Sequence, residues 1–263
     1  MVVGHARAGS SPAFGTIYPK SPVIINGYRA FLIQCLHVAQ VVPYNENMPF
    51  SQSFIVKNRV LFGTLVVLLA MSLIAGGWSI PFHFESFSIL YKFGKLKIYL
   101  RYGKVIGITI ALLLFFQVLL AARLQILVHI FSAKSVLMLH RRNGFVITFL
   151  IAVHPLLIKA SENFTPYTFG KKYYPEFVGM GLFFVLLTLS GTAIFRNFLK
   201  MPYSRWRLLH RLGATLVLLI LPAHVLFVSD TFKSGAPRLA ALIVFSLNLL
   251  FIFYIWLKRF FQK

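Results

Sequence analysis

Between residues 59 and 258 the chain alternates six long apolar runs with short stretches in which Gly, Pro, Lys and Arg gather. A run of about 20 apolar residues is what a helix needs to cross the hydrocarbon of a bilayer. The pattern predicts spans near 59–80, 104–128, 136–159, 177–197, 207–229 and 238–258. No run shows the period-two alternation of a strand, and no hairpin signal separates two of them. The expectation is therefore an all-α integral membrane protein, a bundle of six transmembrane helices. A further apolar stretch, "VIINGYRAFLIQCLHVAQVV" at 23–42, is interrupted by Arg29, Gln34, His37 and Gln40. It reads as an amphipathic helix lying on the membrane surface, not as a seventh span. The chain thus divides into an N-terminal cytoplasmic or interfacial segment (1–57), a transmembrane domain (58–258) and a short cytoplasmic tail (259–263).

Composition agrees with the pattern. Of 263 residues, 58% are hydrophobic, and the mean hydropathy is +0.78, too apolar for an ordinary soluble domain. The formal net charge of +22 raises the question of nucleic acid. The Lys and Arg residues sit at span ends and in short loops, where they meet anionic lipid headgroups. No nucleic-acid-binding module pattern accompanies them, so membrane lipid is the expected partner. The five acidic residues, Glu46, Glu85, Glu162, Glu176 and Asp230, all fall outside the predicted spans. A proton-coupled transporter or pump usually needs a carboxylate within the membrane, and the absence of one there argues against that class. The single Cys35 excludes an intrachain disulfide and a four-cysteine metal site. The opening "MVVGHARAGSSPAFG" has no charged start followed by an apolar core, so no cleavable signal peptide is expected. With six spans both termini share one side. From Lys57 onward that side carries 14 Lys and Arg residues against 10 on the other, which places both termini in the cytoplasm by the positive-inside rule. The expected location is a plasma membrane, in a bacterium the inner one.

The candidate chemistry lies in the third and fifth spans. "LHRRNGFVITFLIAVHPLLI" sets His140 and His154 fourteen residues apart, and "RWRLLHRLGATLVLLILPAHVLF" repeats that interval with His210 and His224. Fourteen residues advance a helix by about 21 Å and return within about 40° of the starting face. Each helix therefore shows two imidazoles on one face, one near each edge of the membrane. If the two spans run parallel, His140 stands level with His210, and His154 with His224. Such a frame can grip two planar macrocycles, one above the other. Haem fits, because neutral imidazole is an axial ligand of haem iron. Filling both axial positions with histidine leaves the iron no free site and favours outer-sphere electron transfer.

The neighbouring residues suit this reading. Gly144 and Gly213 lie one turn beyond the inner histidines, where a porphyrin needs room. Pro155 adjoins His154, and Pro222 precedes His224 by two; each removes a helix hydrogen bond and can bend its helix. Arg141, Arg142, Arg205, Arg207 and Arg211 flank the inner pair and would meet the anionic propionates. Arg123 is expected inside the second span, near its inner end, where an unpaired charge is expensive. Plainer readings exist for each: a membrane histidine as an interhelical hydrogen-bond partner, the glycines as packing sites, the arginines as markers of the cytoplasmic edge. His5, His37, His83 and His129 stand outside the paired pattern and read as surface or interfacial residues.

With "QVLLAARLQIL" before them, these two segments resemble the ferric reductase-like transmembrane domain. That superfamily includes NADPH oxidases, ferric reductases, epithelial metalloreductases and the haem subunit of methionine sulfoxide reductase systems. The resemblance spans roughly residues 58–258. It implies a six-helix bundle with two b haems between the third and fifth helices, the inner one held by His140 and His210 and the outer one by His154 and His224. It implies that Arg123, which matches the arginine in "AARL", sits near the inner haem, and that electrons pass outward from the cytoplasmic face. Many relatives continue into a flavin- and NAD(P)H-binding domain. Here no G-x-G-x-x-G follows a strand, and only about "KRFFQK" follows the last span. The form resembles the stand-alone members. Electrons would come from a separate cytoplasmic flavin reductase, carrying FAD or FMN, or from membrane quinol. The chain would be the haem component of an oxidoreductase whose extracytoplasmic acceptor is ferric iron, oxygen or a partner protein.

On the outer side, "KASENFTPYTFGKKYYPE" at 159–176 can shape a surface above the outer site. Lys171 and Lys172 can attract an anionic acceptor, while Tyr167, Tyr173 and Tyr174 read as an interfacial aromatic belt. His83 and Glu85 make a weak case for touching a metal chelate, and Asn163-Phe164-Thr165 is a glycosylation sequon. Two other functions stay open at this point: a quinol-oxidising cytochrome b, which lacks support because no "PEWY"-type loop occurs, and a transporter or scaffold without cofactor.

Overall fold

The computed structural model describes residues 50–84, 94–167 and 170–261. The predicted surface helix at 23–42, with His5, His37 and Glu46, lies outside the described residues, as do Glu85 and Lys92. Everything described is helix or connection. A short α1 (Phe50–Lys57) leads into α2 (Arg59–His83). There follow α3 (Gly94–Ala122), a short α4 (Gln125–Phe131) and α5 (Ala133–Ser161). After a longer loop come α6 (Tyr174–Phe195), α7 (Tyr203–Val228) and α8 (Gly235–Phe260). Six of these, α2, α3, α5, α6, α7 and α8, are long and apolar enough to cross a membrane, as the hydropathy pattern predicts.

The main departure is the second span. It begins at Gly94, ten residues before the expected start, and ends at Ala122 instead of 128. Arg123 takes a left-handed backbone (φ 46°), and the chain turns into α4. Arg123 is thus exposed in a turn just beyond the span, not inside it. The residues after it stay apolar for another reason: Ile130 and Phe131 of α4 pack with Val136, Phe62 and Val66 into a separate cluster at that end of the bundle. Ser132 (φ 65°) then reverses the chain, and its side chain accepts from Ser135 N to start α5.

Between helices in lipid there is no hydrophobic driving force, so small residues, close packing and hydrogen bonds carry the association. Trp78 Nε1 donates to Thr109 Oγ1 at 2.8 Å, joining α2 to α3. The Thr148 and Ser190 hydroxyls meet at 2.7 Å, joining α5 to α6. Lys104 Nζ donates to Thr231 Oγ1 at 3.1 Å, tying α3 to the turn before α8. The closest helix pairings are α3 with α5 and α6 with α7, whereas the backbones of α5 and α7 hardly approach each other. The two histidine-bearing helices are therefore each braced by a different neighbour and face one another across side chains.

Candidate functional site

His140 and His210 both lie in the second turn or beyond from the start of their helices, and their rings stand 6.5 Å apart, centroid to centroid, at an interplanar angle of 68°. The second pair, His154 and His224, also comes together, at the opposite end, and the two contacts jointly make α5 and α7 parallel. The His224 ring lies close enough to His154 for a charge on one to be felt at the other. Midway along the two intervals sit Ile147 and Val217, 4% and 1% exposed. They belong to one apolar core with Ile151 and Leu221, so the two imidazole levels are separated by a buried apolar layer. Both prolines are accommodated within continuous helices.

The outer imidazoles are held in matching ways. His154 Nδ1 lies 2.9 Å from the carbonyl of Gly103 on α3, and His224 Nδ1 lies 2.9 Å from the carbonyl of Pro175 on α6. A carbonyl oxygen only accepts, so each Nδ1 carries the hydrogen and each Nε2 keeps its lone pair. This is the arrangement usual for a histidine that ligates metal through the other ring nitrogen. Each ring also lies over a glycine one turn along from its acceptor. A Cβ on Gly107 would meet His154 Cε1 at 2.8 Å, and a Cβ on Gly179 would meet the His224 ring.

The inner imidazoles are held differently. Gln117 Nε2 donates to the His140 carbonyl at 3.0 Å and lies 3.4 Å from His140 Nε2. Its Oε1 accepts from Asn143 Nδ2 at 2.7 Å, which in turn reaches the Leu113 carbonyl at 2.9 Å. Trp206 stacks on His210 at 5.3 Å, tilted by 33°. His140 Nδ1, His210 Nδ1 and Trp206 Nε1 are buried without a hydrogen-bond partner among the described residues.

Of the other residues expected at the site, Arg123 and Arg141 lie near enough for their charges to act on His140. Arg211 turns back along its own helix, its Nε donating to the Arg207 carbonyl at 3.2 Å. A Cβ on Gly144 would sit 3.4 Å from Gln117 Nε2, and one on Gly213 would sit 2.7 Å from Leu189 Cδ2 on α6. Gly213 thus admits a neighbouring helix, the packing use of small residues, whereas a methyl group at Gly144 would make ordinary contact. His83 is exposed, and His129 Nδ1 donates to the Gln125 carbonyl of its own turn at 2.6 Å. In the loop between α5 and α6 Tyr167 is half-buried in a side-chain cluster. Lys159 Nζ stands 3.1 Å from the centre of its ring and 3.3 Å from Glu162 Oε2, and Tyr173 packs at 5.5 Å. Burial, reinforced by Glu162 and Glu176, pushes the Tyr167 phenol above its usual pKa. Tyr174, by contrast, is 59% exposed, as a belt residue would be; Lys171 is exposed, and the side chain of Lys172 lies outside the described residues.

No group of three or more His, Cys, Asp or Glu side chains converges among the described residues. The candidate ligand sets are therefore the two histidine pairs. Two imidazoles on one metal, each with a bond of about 2 Å and about 1 Å from nitrogen to ring centre, have centroids about 6 Å apart. The inner pair, at 6.5 Å, fits that requirement, and the outer pair presents the right nitrogens.

Residues 106–221 match the family model described as ferric reductase like transmembrane component. The match takes in His140, His154 and His210, ends three residues before His224, and is narrower than the 58–258 expected, since the first and sixth spans lie outside it. No curated protein and no solved structure matches the chain.

Proposed function

On the premise that this chain carries a ferric reductase-like transmembrane domain in an integral membrane protein, we propose that it moves electrons across the membrane through two b haems. His140 and His210 hold the inner haem, and His154 and His224 the outer. The observation that carries the reading is the repeated pairing: four imidazoles on two parallel helices, at two depths, the inner two at the separation one iron requires. Bound haem supplies a one-electron carrier at each level, and bis-imidazole ligation keeps the exchange outer-sphere. The chain's own residues supply the rest. Ile147 and Val217 exclude water between the levels. Arg123 and Arg141 place positive charge beside the inner level, where anionic propionates need it. The donor is a cytoplasmic flavin reductase or membrane quinol, and the acceptor is ferric iron, oxygen or a partner oxidoreductase outside. Both termini face the cytoplasm, and 1–57 and 259–263 flank the domain on that side.

A pyridine haemochrome assay and a reduced-minus-oxidised spectrum of detergent-purified protein test this. Two b haems per chain are expected. A folded protein without haem would refute the reading.

A further inference from the structure

The outer histidines share a cradle that the inner ones lack, and its sequence recurs. "YGKVIG" at 102–107 on α3 and "YPEFVG" at 174–179 on α6 both read Tyr, a small or cyclic residue, a charge, two apolar residues and Gly. In each, the second residue offers its carbonyl to an imidazole Nδ1 at 2.9 Å. In each, the sixth residue is the glycine on which that imidazole rests. The carbonyl and the glycine are four residues apart, one helical turn, so they lie on one face. The motif thus touches the ring twice: the carbonyl fixes which nitrogen carries the hydrogen, and the missing Cβ fixes the plane in which the ring lies. A methyl group at Gly107 would approach His154 Cε1 to 2.8 Å, and one at Gly179 would press on His224 more closely still. Contacts that short cannot persist, so the ring must swing away, and swinging away lengthens the Nδ1–carbonyl bond.

We propose that the two Tyr-x-x-x-x-Gly turns, through the Gly103 and Pro175 carbonyls and the notches at Gly107 and Gly179, are the positioning elements of the outer imidazole pair. They set tautomer, ring plane and ligand basicity there. This rests on the proposed haem ligation for its consequence, but the cradle itself is a property of the polypeptide. A ligand imidazole that donates from its far nitrogen is more electron-rich, which favours the oxidised metal. Loosening the cradle therefore raises the potential of the outer haem, while the inner haem, whose histidine Nδ1 atoms have no such partner among the described residues, keeps its own.

The test compares Gly107→Ala and Gly179→Ala with Gly76→Ala and Gly181→Ala, two glycines around which a methyl group meets nothing within 4 Å. Full-length protein is examined by haemochrome count, by electron paramagnetic resonance of the ferric low-spin signals, and by potentiometric titration. The expected result is that one of two low-spin signals shifts or disappears in the cradle variants, with its midpoint raised where it survives. The other signal and both controls stay as in the unmodified protein. Two unchanged signals in both cradle variants would overturn the proposal. Should the unmodified protein bind no haem, the functional reading falls, and the cradle is read by nitrogen-15 NMR of histidine-labelled protein. Nδ1–H tautomers at His154 and His224, perturbed by the matching Gly→Ala change, support it; Nε2–H tautomers at both overturn it.

Discussion

Replacing Gln117 by Leu removes the polar link between α3 and α5 one turn from the inner histidine while nearly conserving volume. Gln117 makes two short hydrogen bonds, donating to the His140 carbonyl at 3.0 Å and accepting from Asn143 at 2.7 Å. Its 3.4 Å approach to His140 Nε2 is too long to add much. Interhelical hydrogen bonds within membranes contribute about 0.6 kcal/mol on average and about 1.7 at most. Two of them sum to about 1–3 kcal/mol. Asn143 keeps its bond to the Leu113 carbonyl and is not orphaned, so the lower half of that range, about 1–2 kcal/mol, is expected. Equilibrium unfolding in mixed micelles measures it, with a double-mutant cycle against Asn143→Ala to isolate the pair. The coupling energy should be about 0.5–1.5 kcal/mol. A loss below about 0.3 kcal/mol with zero coupling would refute the argument and leave the α3–α5 pairing to apolar contact alone.

Three further outcomes are expected. His154→Ala removes one haem per chain and leaves the inner haem's spectrum in place, read by haemochrome count; loss of both together refutes independent levels. Asn248→Leu stabilises the protein by about 1–3 kcal/mol, because Asn248 is 2% exposed and neither amide atom has a partner among the described residues; a drop in unfolding midpoint would show that the amide is bonded after all. The raised Tyr167 pKa means that the folded state holds the phenol proton more tightly than the unfolded one. The stability it contributes is whole below about pH 10, the unfolded tyrosine value, and declines as pH rises toward the folded pKa. Tyr167→Phe should lessen that alkaline loss, seen in thermal melts between pH 9 and 11 as a flatter profile than that of the unmodified protein.

Hydropathy sufficed for the six spans because a membrane helix needs an unbroken apolar stretch and little else. The pairing of His140 with His210 was legible from arithmetic alone: equal intervals on two helices that enter from the same side. The turn at Arg123 was not, because "AARLQ" contains no Gly or Pro and the apolar run continues past it to cover Phe62 and Val66. The early start at Gly94 was hidden by Lys95, Lys97, Arg101 and Lys104, which lower hydropathy although their helix continues. The glycines most visible beside the histidines, Gly144 and Gly213, meet Gln117 and Leu189. Those that support the outer rings, Gly107 and Gly179, sit about 45 residues upstream of them in the chain. Their acceptors are backbone carbonyls, which leave no mark on residue type. The shared spacing of "YGKVIG" and "YPEFVG" was the available signal.

That α5 leans on α3 and α7 on α6, with closer packing inside each couple than between them, bears on how the molecule matures. Each couple is contiguous in the chain and can pack as soon as it has entered the bilayer, the one from 94 to 161 ahead of the one from 174 to 228. The proposed haems then need not be threaded into a finished interior. Each can enter edgewise from the lipid while the second couple closes against the first, like a page caught between two covers.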